Sequence, residues 1–406
     1  MTEKRLGEII DIKHGYAFDG EHIVSDDNGI VLVTPGNFKI GGGFKEEKCK
    51  FFTGEIPEDY ILNNGDYIVT MTDLSKDIDT LGYSAKIPDN PKRIYLHNQR
   101  IGLLNFKDND VCKDYIYYVM QTNDYQRSIA NTSSGATVHH TSPTKIYEYT
   151  FKLPKYSIQK KIADLLGSYD SLIENNQKQI KLLEEAAQRL YKEWFVDFRF
   201  PGYGDTKFID GIPDGWRKQK ISNFGEIKTG KTPSTTKESY YGGHIPFVKI
   251  PDMHNRIYPI VTETTLTSEG ANTQKNQFIP KNSIMVSCIG TVGLVNISIE
   301  LCQTNQQINS IMPNDEKDLY YIYSTMKRLK TLLEGVGSNG ATMTNVNKTK
   351  FGNLEVLYPN YDLRDKYFNN CKVIFEKIFS LSVGIEKLTQ ARDRLLPKLM
   401  SGEIEV

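Results

Sequence analysis

The sequence predicts an α+β fold: two similar globular units separated by two long helices that form an antiparallel coiled coil, the whole approximating two-fold symmetry. Three observations predict it. Residues 159–198 carry an apolar seam at heptad spacing, the C-terminal residues carry a second seam at a constant offset of 205, and short motifs earlier in the chain repeat with nearly the same offset.

The first seam runs through Ile162, Leu166, Tyr169, Ile173, Asn176, Ile180, Leu183, Ala187, Leu190 and Trp194, in steps of four and three, which keep one stripe facing a partner helix. No Pro and no Gly after Gly167 interrupts it. At about 1.5 Å per residue such a helix is roughly 60 Å long, too long for one compact domain to cover. Adding 205 to each seam position gives Tyr367, Cys371, Ile374, Ile378, Leu381, Ile385, Leu388, Arg392, Leu395 and Leu399, apolar at every step except Arg392. A shared offset over so many positions points to partners, not to two unrelated amphipathic helices.

Ahead of each helix the chain is one unit written twice. LGEIIDIKHGYAF from Leu6 resembles FGEIKTGKTPS from Phe224, and ILNNGDYIVTMT from Ile61 resembles FIPKNSIMVSCIG from Phe278, a turn feeding a β-rich run. His97-Asn98-Gln99-Arg100 is echoed by Thr304-Asn305-Gln306-Gln307, and DYIYYVM by DLYYIYSTM, each opening a Tyr-rich helix. SSGAT at Ser133 matches SNGAT at Ser338, the glycines differing by 340 − 135 = 205. A short β run ending at Pro154 or Pro359 then enters each long helix. A repeat of this length is a duplicated domain, since solenoid units are far shorter. The expected boundaries are 1–155 for the first unit, 156–200 for its helix, 201–360 for the second unit and 361–406 for the C-terminal helix, with the Gly, Pro and Asp-rich residues 198–216 as linker.

Lys+Arg and Asp+Glu balance at 50 each, so any DNA binding must come from local patches or from a basic partner. The five cysteines form no Cys-x-x-Cys pair and indicate neither a disulfide framework nor a zinc site. The N-terminus is polar and no apolar run is long enough to cross a bilayer, which makes a soluble cytoplasmic protein the expectation.

Candidate chemistry is sparse. Gly225 to Thr232 fits the phosphate-loop pattern, but residues 222–223 make a poor buried strand before it, Pro233-Ser-Thr-Thr a poor helix start after it, and the first copy lacks the motif. Asp214 followed by Glu226 and Lys228 fits a loose nuclease pattern that would hold Mg²⁺, and this keeps open a self-contained DNA-cleaving restriction enzyme with duplicated recognition domains. His139-His140 has no third ligand at metal spacing. Neither an Asp/Asn-Pro-Pro-aromatic tetrapeptide nor G-x-S-x-G occurs, so no metal, cofactor or catalytic residue is expected.

Recognition chemistry is better represented. The second unit opens with Arg217, Lys218, Lys220, Lys228, Lys231 and Lys237 against Glu226 and Glu238, with hydroxyls at Thr229, Thr232, Ser234, Thr235 and Thr236. Together with Ser338, Asn339, Thr342 and Thr344 these are its candidate DNA contacts. The first unit offers Lys13, His14, Asn37, Lys39, Lys76, Arg100, Ser133, Ser134, Thr137, His139 and His140 in turn-like stretches. Lys, Arg and hydroxyls suit phosphates; Arg, Asn, Gln and His can read base edges.

IPDGW at Ile212, GEIKTGKTPS at Gly225, the Gly-Ala-Thr turns, the β run ending in Pro before each helix, and LLPKLMSGEIEV at Leu395 together resemble the specificity subunit of type I restriction-modification systems. The resemblance covers the whole chain. It departs at Tyr156-Ser-Ile-Gln-Lys-Lys-Ile162, which lacks the common Glu-Gln pair, and further at Tyr361-Asp-Leu-Arg-Asp-Lys. It implies two target-recognition domains, each reading half of a bipartite site in double-stranded DNA and spaced by the coiled coil. It also implies that adenine methylation and cutting belong to two methyltransferase subunits and to restriction subunits, this chain being non-catalytic.

Overall fold

The computed structural model describes residues 2–47, 49–73, 75, 78–107, 110–135, 137–337 and 345–406. Two compact units emerge, one comprising Met1–Ser171 with Thr389–Val406, the other Leu172–Leu388. The long helices span Tyr156–Phe195 and Tyr361–Ser401, so each unit takes a part of both.

In the first unit a four-stranded antiparallel sheet has the order Ile10–His14, Ile101–Phe106, Tyr67–Thr70, Ser84–Lys86. Successive side chains of a strand point to opposite faces, and both faces are buried along the two inner strands. Val69 and Leu104 face a layer built on the helix Lys113–Val119 with Tyr115, Ile116 and Val119. Ile68 and Ile101 face a second sheet holding Val31, Phe51 and Tyr95, in which Ile94–His97 runs parallel to Ile30–Val33. This explains why the inner strands read as apolar runs, whereas the edge strand Ile10–His14 keeps the alternation of a half-buried strand.

The second unit repeats the plan. Gly225–Thr229, Ile308–Pro313, Ile284–Ser287 and Val295–Ile297 take the same order, all antiparallel. Ile284 and Val286 pack toward the helix Leu319–Arg328, and Met285 toward Val248 and Met253. Tyr241–Val248 runs parallel to Gln303–Thr304, as the counterpart pair does in the first unit. The turns feeding the central strands are also equivalent. Gly65 has φ +83° and Asn282 φ +64°, a left-handed conformation that Gly adopts freely and Asn tolerates.

Each long helix is rooted by its own unit. The β run before the first, Thr150–Leu153, pairs with Thr2–Arg5; the run before the second, Glu355–Tyr358, pairs with Arg217–Lys220. Within the first unit Ile162 and Leu166 share a core with Leu395 and Leu399, and Asp170 reaches Arg392. Within the second, the Asn176 amide lies against Gly384 and the rings of Tyr191 and Trp194 meet Tyr367. Numbers rise along one helix as they fall along the other, so the pairing is antiparallel. Ile162, Leu166, Ile173, Trp194, Ile378, Leu381 and Leu399 are buried; Tyr169, Asn176, Ile180, Leu183, Leu190, Ile374, Ile385, Leu388 and Leu395 are half-buried, and no seam position is exposed. Fully burying a Leu or Ile side chain is worth roughly 1.5–3 kcal/mol and half-burying it correspondingly less, and the sum along the seam holds two helices of this length together.

One expectation needs revision, and one exception in the seam finds its reason. Residues 198–216 are not a plain linker, because Phe195, Phe198 and Phe200 pack around Trp216 at ring separations of 5.4–5.8 Å, and Phe200 and Trp216 belong to the core of the second unit. Arg392 is not a defect in the seam. Its guanidinium donates to Asp170 Oδ1 at 2.7 Å while the Tyr118 hydroxyl donates to Asp170 Oδ2 at 2.6 Å, so a polar triad replaces one apolar layer.

Candidate nucleic-acid interface

One backbone crossing organises the strand ends in both units. The chain leaving Ile10–His14 passes over the turn between Ile94–His97 and Ile101–Phe106, with Tyr16 N donating to His97 O at 2.8 Å and Gln99 N to Tyr16 O at 2.9 Å. In the second unit Lys231 N donates to Thr304 O at 3.0 Å, and Lys231 O accepts from the buried Gln274 amide at 2.6 Å. A Cβ on Gly15 would lie 2.2 Å from Asn98 O, and one on Gly230 2.2 Å from Asn305 O, so only glycine fits either crossing. Asn98 and Asn305 are nearly buried, and their Oδ1 atoms accept from Arg100 N at 3.0 Å and Gln307 N at 3.2 Å. Each asparagine thereby fixes its turn. Gln99, Arg100 and Gln306 are exposed on these turns; Gln307 is half-buried.

In the first unit several candidates converge beside this turn. Met71 N donates to Arg100 O, and Thr141 N to Met71 O. Thr72 Oγ1 lies 3.2 Å from His140 Nδ1, and His140 bridges Ser134. His139 pairs with Asp73, and His14 with Gly102 on the strand that begins after Arg100. Asp73 is 2% exposed and accepts from Ser75 N, Thr80 N, Thr80 Oγ1 and Leu81 N at 2.6–3.0 Å. Burial alone would raise its carboxyl, but these bonds more than offset that and hold it below the ordinary range. Asp73 thus holds Ser75, Thr80 and Leu81 on one side chain. Lys13 is exposed, its Nζ donating to Asp59 O at 2.7 Å and sitting over the Tyr60 ring. Ser133 is half-buried; Ser134 and Thr137 are exposed.

In the second unit Lys231, Ser234 and Thr235 are exposed, and Thr232 Oγ1 donates to Gln306 Oε1 at 2.6 Å. Ser234 and Thr236 share a hydroxyl pair at 2.9 Å. Asn345 bridges Ile289 and Val346 N donates to Cys288 O, the docking that His140 and Thr141 make on Met71 and Thr72. Ser338, Asn339, Thr342 and Thr344, like Lys76 in the first unit, lie outside the described residues.

Other candidates are placed elsewhere. Asn37 is 1% exposed, its Oδ1 accepting from Thr34 N and its Nδ2 donating to Lys45 O, so it builds a turn and presents nothing outward. Lys39 is exposed on a turn whose Gly43 N donates to Ser84 O on the far edge strand. That is three strands, about 14 Å, from His14. Lys228 donates to Phe278 O at 3.0 Å. The basic cluster opening the second unit is split: Arg217 stacks over Tyr358 and Tyr361 at the root of the C-terminal helix, away from Lys231. The sequence reading passed over Gln99 and Gln306, although the Asn-Gln echo contained them.

The phosphate-loop pattern falls on the strand Gly225–Thr229, followed by a loop up to the short turn Glu238–Tyr240, with no helix to hold a nucleotide. Glu226 and Lys228 are 3.9 Å apart, and among the described residues no group of three His, Cys, Asp or Glu gathers at metal-binding distance. No helix among the described residues is long and apolar enough to cross a membrane.

The family model described as "Type I restriction modification DNA specificity domain" matches residues 1–185 and again 213–381. The specificity subunit of type I restriction enzyme HindI from Haemophilus influenzae is 30% identical over 380 residues, covering 78% of this chain and 83% of the relative. That of MjaIX from Methanocaldococcus jannaschii is 26% identical over 309 residues, covering 73% of this chain and 70% of the relative. Among solved structures, the S subunit of the type I restriction-modification system from M. genitalium aligns over 98% of this chain and 96% of its own, with a TM-score of 0.59 and 14% identity, a likeness of fold.

Proposed function

Because the chain belongs to the type I restriction-modification DNA specificity family, we propose that its two units act as separate target-recognition domains, each reading one half of a bipartite site in duplex DNA. The chain supplies sequence specificity. In this reading it carries no catalytic residue and no cofactor, and methylation and cleavage belong to two methyltransferase subunits and to restriction subunits that assemble on it in the cytoplasm. The observation that carries the reading is the complete duplication: the same sheet order, the same glycine crossing and the same rooted helix in both units. A unit with its own core and its own presented turn has what it needs to read DNA alone.

Binding supplies the test. Purified with its methyltransferase subunits, the chain is expected to retard duplex DNA with an affinity that falls steeply as salt rises, since phosphate contacts release counterions. It should prefer one split sequence over scrambled duplex. Purified alone with Mg²⁺ and plasmid, it is expected to leave the DNA intact. Cleavage by the lone chain, abolished by substituting Asp214, Glu226 or Lys228, would favour the nuclease reading.

A further inference from the structure

Duplication within one chain separates what the two units share from what they do not. At the glycine crossing the framework is common to both, and so is one exposed side chain, Gln99 in the first unit and Gln306 in the second. The neighbours differ. Tyr16 stands where the second unit has Lys231, and Arg100 where it has Gln307. If two units read different half-sites, side chains that touch base edges should differ between them. A side chain kept in the same place on both should touch what every duplex shares.

We propose that Gln99 and Gln306 are equivalent phosphate-contacting residues, each donating its side-chain amide N–H to a backbone phosphate of its own half-site and so setting the register in which the neighbouring side chains read bases. This rests on the DNA-recognition reading above. The chemistry at Gln306 favours phosphate over base. Reading adenine takes both amide ends, the oxygen accepting and the nitrogen donating. The Gln306 oxygen already accepts from Thr232 at 2.6 Å, which leaves the NH₂ as the outward end, and a phosphate offers only acceptors. Lys231, exposed on the same crossing, adds positive charge to this end of the unit. The turns suit a positioning role. Each is pinned by a nearly buried asparagine and by a backbone approach that admits no Cβ, so the amide is presented with little freedom to lose on binding.

The test uses the full chain assembled with its methyltransferase subunits, as wild type, Gln99→Ala, Gln306→Ala and Gln306→Glu. Once methylome sequencing has defined the site, Kd is measured at fixed salt on the cognate duplex and on duplexes with either half-site scrambled. Each alanine variant should bind every duplex roughly tenfold more weakly, with the cognate-to-scrambled ratio and the methylated motif unchanged. The slope of log K against log salt should also be unchanged, because a neutral amide releases no counterion. Gln306→Glu should bind more weakly than Gln306→Ala. A changed motif or ratio would mean that the glutamine reads a base, unaltered Kd that it touches nothing, and failed assembly at unaltered DNA affinity that it docks a subunit; each overturns the proposal. A wild-type complex without sequence preference would instead overturn the function from which the proposal starts.

Discussion

At the residue scale, the position that opens each long helix carries different chemistry for one task. Gln159, 2% exposed, donates to Pro154 O at 2.8 Å and accepts from Cys112 N at 2.9 Å. At the matching position 205 residues on, Arg364 is 4% exposed and binds Asp315 at 2.7 Å, Asp365 at 2.6 Å and Asp318 at 3.3 Å. Both tie the helix to the globular part of its own unit, one with neutral hydrogen bonds and one with charge. Removing a buried cation leaves the buried Asp318 without its charge partner, while the more exposed Asp315 and Asp365 are screened by water, so Arg364→Ala is expected to destabilise the second unit by about 2–3 kcal/mol, read as a fall in Tm. Two of these three carboxylates share one sign of pH dependence, while burial raises the third, Asp318, and opposes them in part. The amide of Lys317, with Arg364, holds Asp315 below the ordinary aspartate value of 3.8, and Lys317 and Arg364 hold Asp365 below it against the opposing effect of burial. A depressed carboxyl contributes stability that is present above its unfolded pKa and lost as pH falls through the folded one. Thermal unfolding followed from pH 6 downward should therefore show the second unit weakening below about pH 4, with a flatter profile in Arg364→Ala. An equal acid loss in both proteins would contradict this account. The departure of residues 361–366 from the family pattern was visible in the sequence. What replaced the missing contact was not, because Asp315 and Asp318 lie more than forty positions away and only the folded chain brings them to Arg364.

At the scale of elements, the helices were the most legible part of the sequence, since heptad spacing reports directly which residues face a partner. Both helices and their antiparallel pairing are present, with every seam position at least half-buried. The sheets were legible only as β-rich runs. Their second layer was hidden because strands buried on both faces lose the alternation that marks a half-exposed strand. Arg392 broke the seam pattern because its partner Asp170 comes from the other helix and is itself held by Tyr118 from the globular part of the unit. Burial and the Asp170 charge push the Tyr118 hydroxyl well above the ordinary phenol range, so it stays a donor at all working pH values. Arg392 and Asp170 are each about 30% exposed, which tempers their coupling. A double-mutant cycle of Asp170→Ala and Arg392→Ala on unfolding free energy is expected to give an interaction of about 1–2 kcal/mol. Zero coupling would mean that the triad adds no stability and that the apolar positions around it carry the register alone.

At the scale of the molecule, two copies of one sheet order and one presented turn accompany membership of the DNA specificity family. The duplication was legible because Gly-Ala-Thr, Asn-Gln and the Tyr-rich helix recur in order. Which surface it presents was less so. Turn-like residues such as Asn37 and Lys39 look as suitable in sequence as Arg100 and His140, and only the strand pairing shows which of them gather. The direct test of the account is an exchange of residues 6–149, between the retained strands Thr2–Arg5 and Thr150–Leu153, for the corresponding segment of a relative of different specificity, followed by methylome sequencing of a host carrying the complete system. The account predicts a methylated motif in which one half is new and the other half is that of the parent chain. A motif changed in both halves, or in neither while methylation persists, would contradict the claim that each unit reads its own half-site.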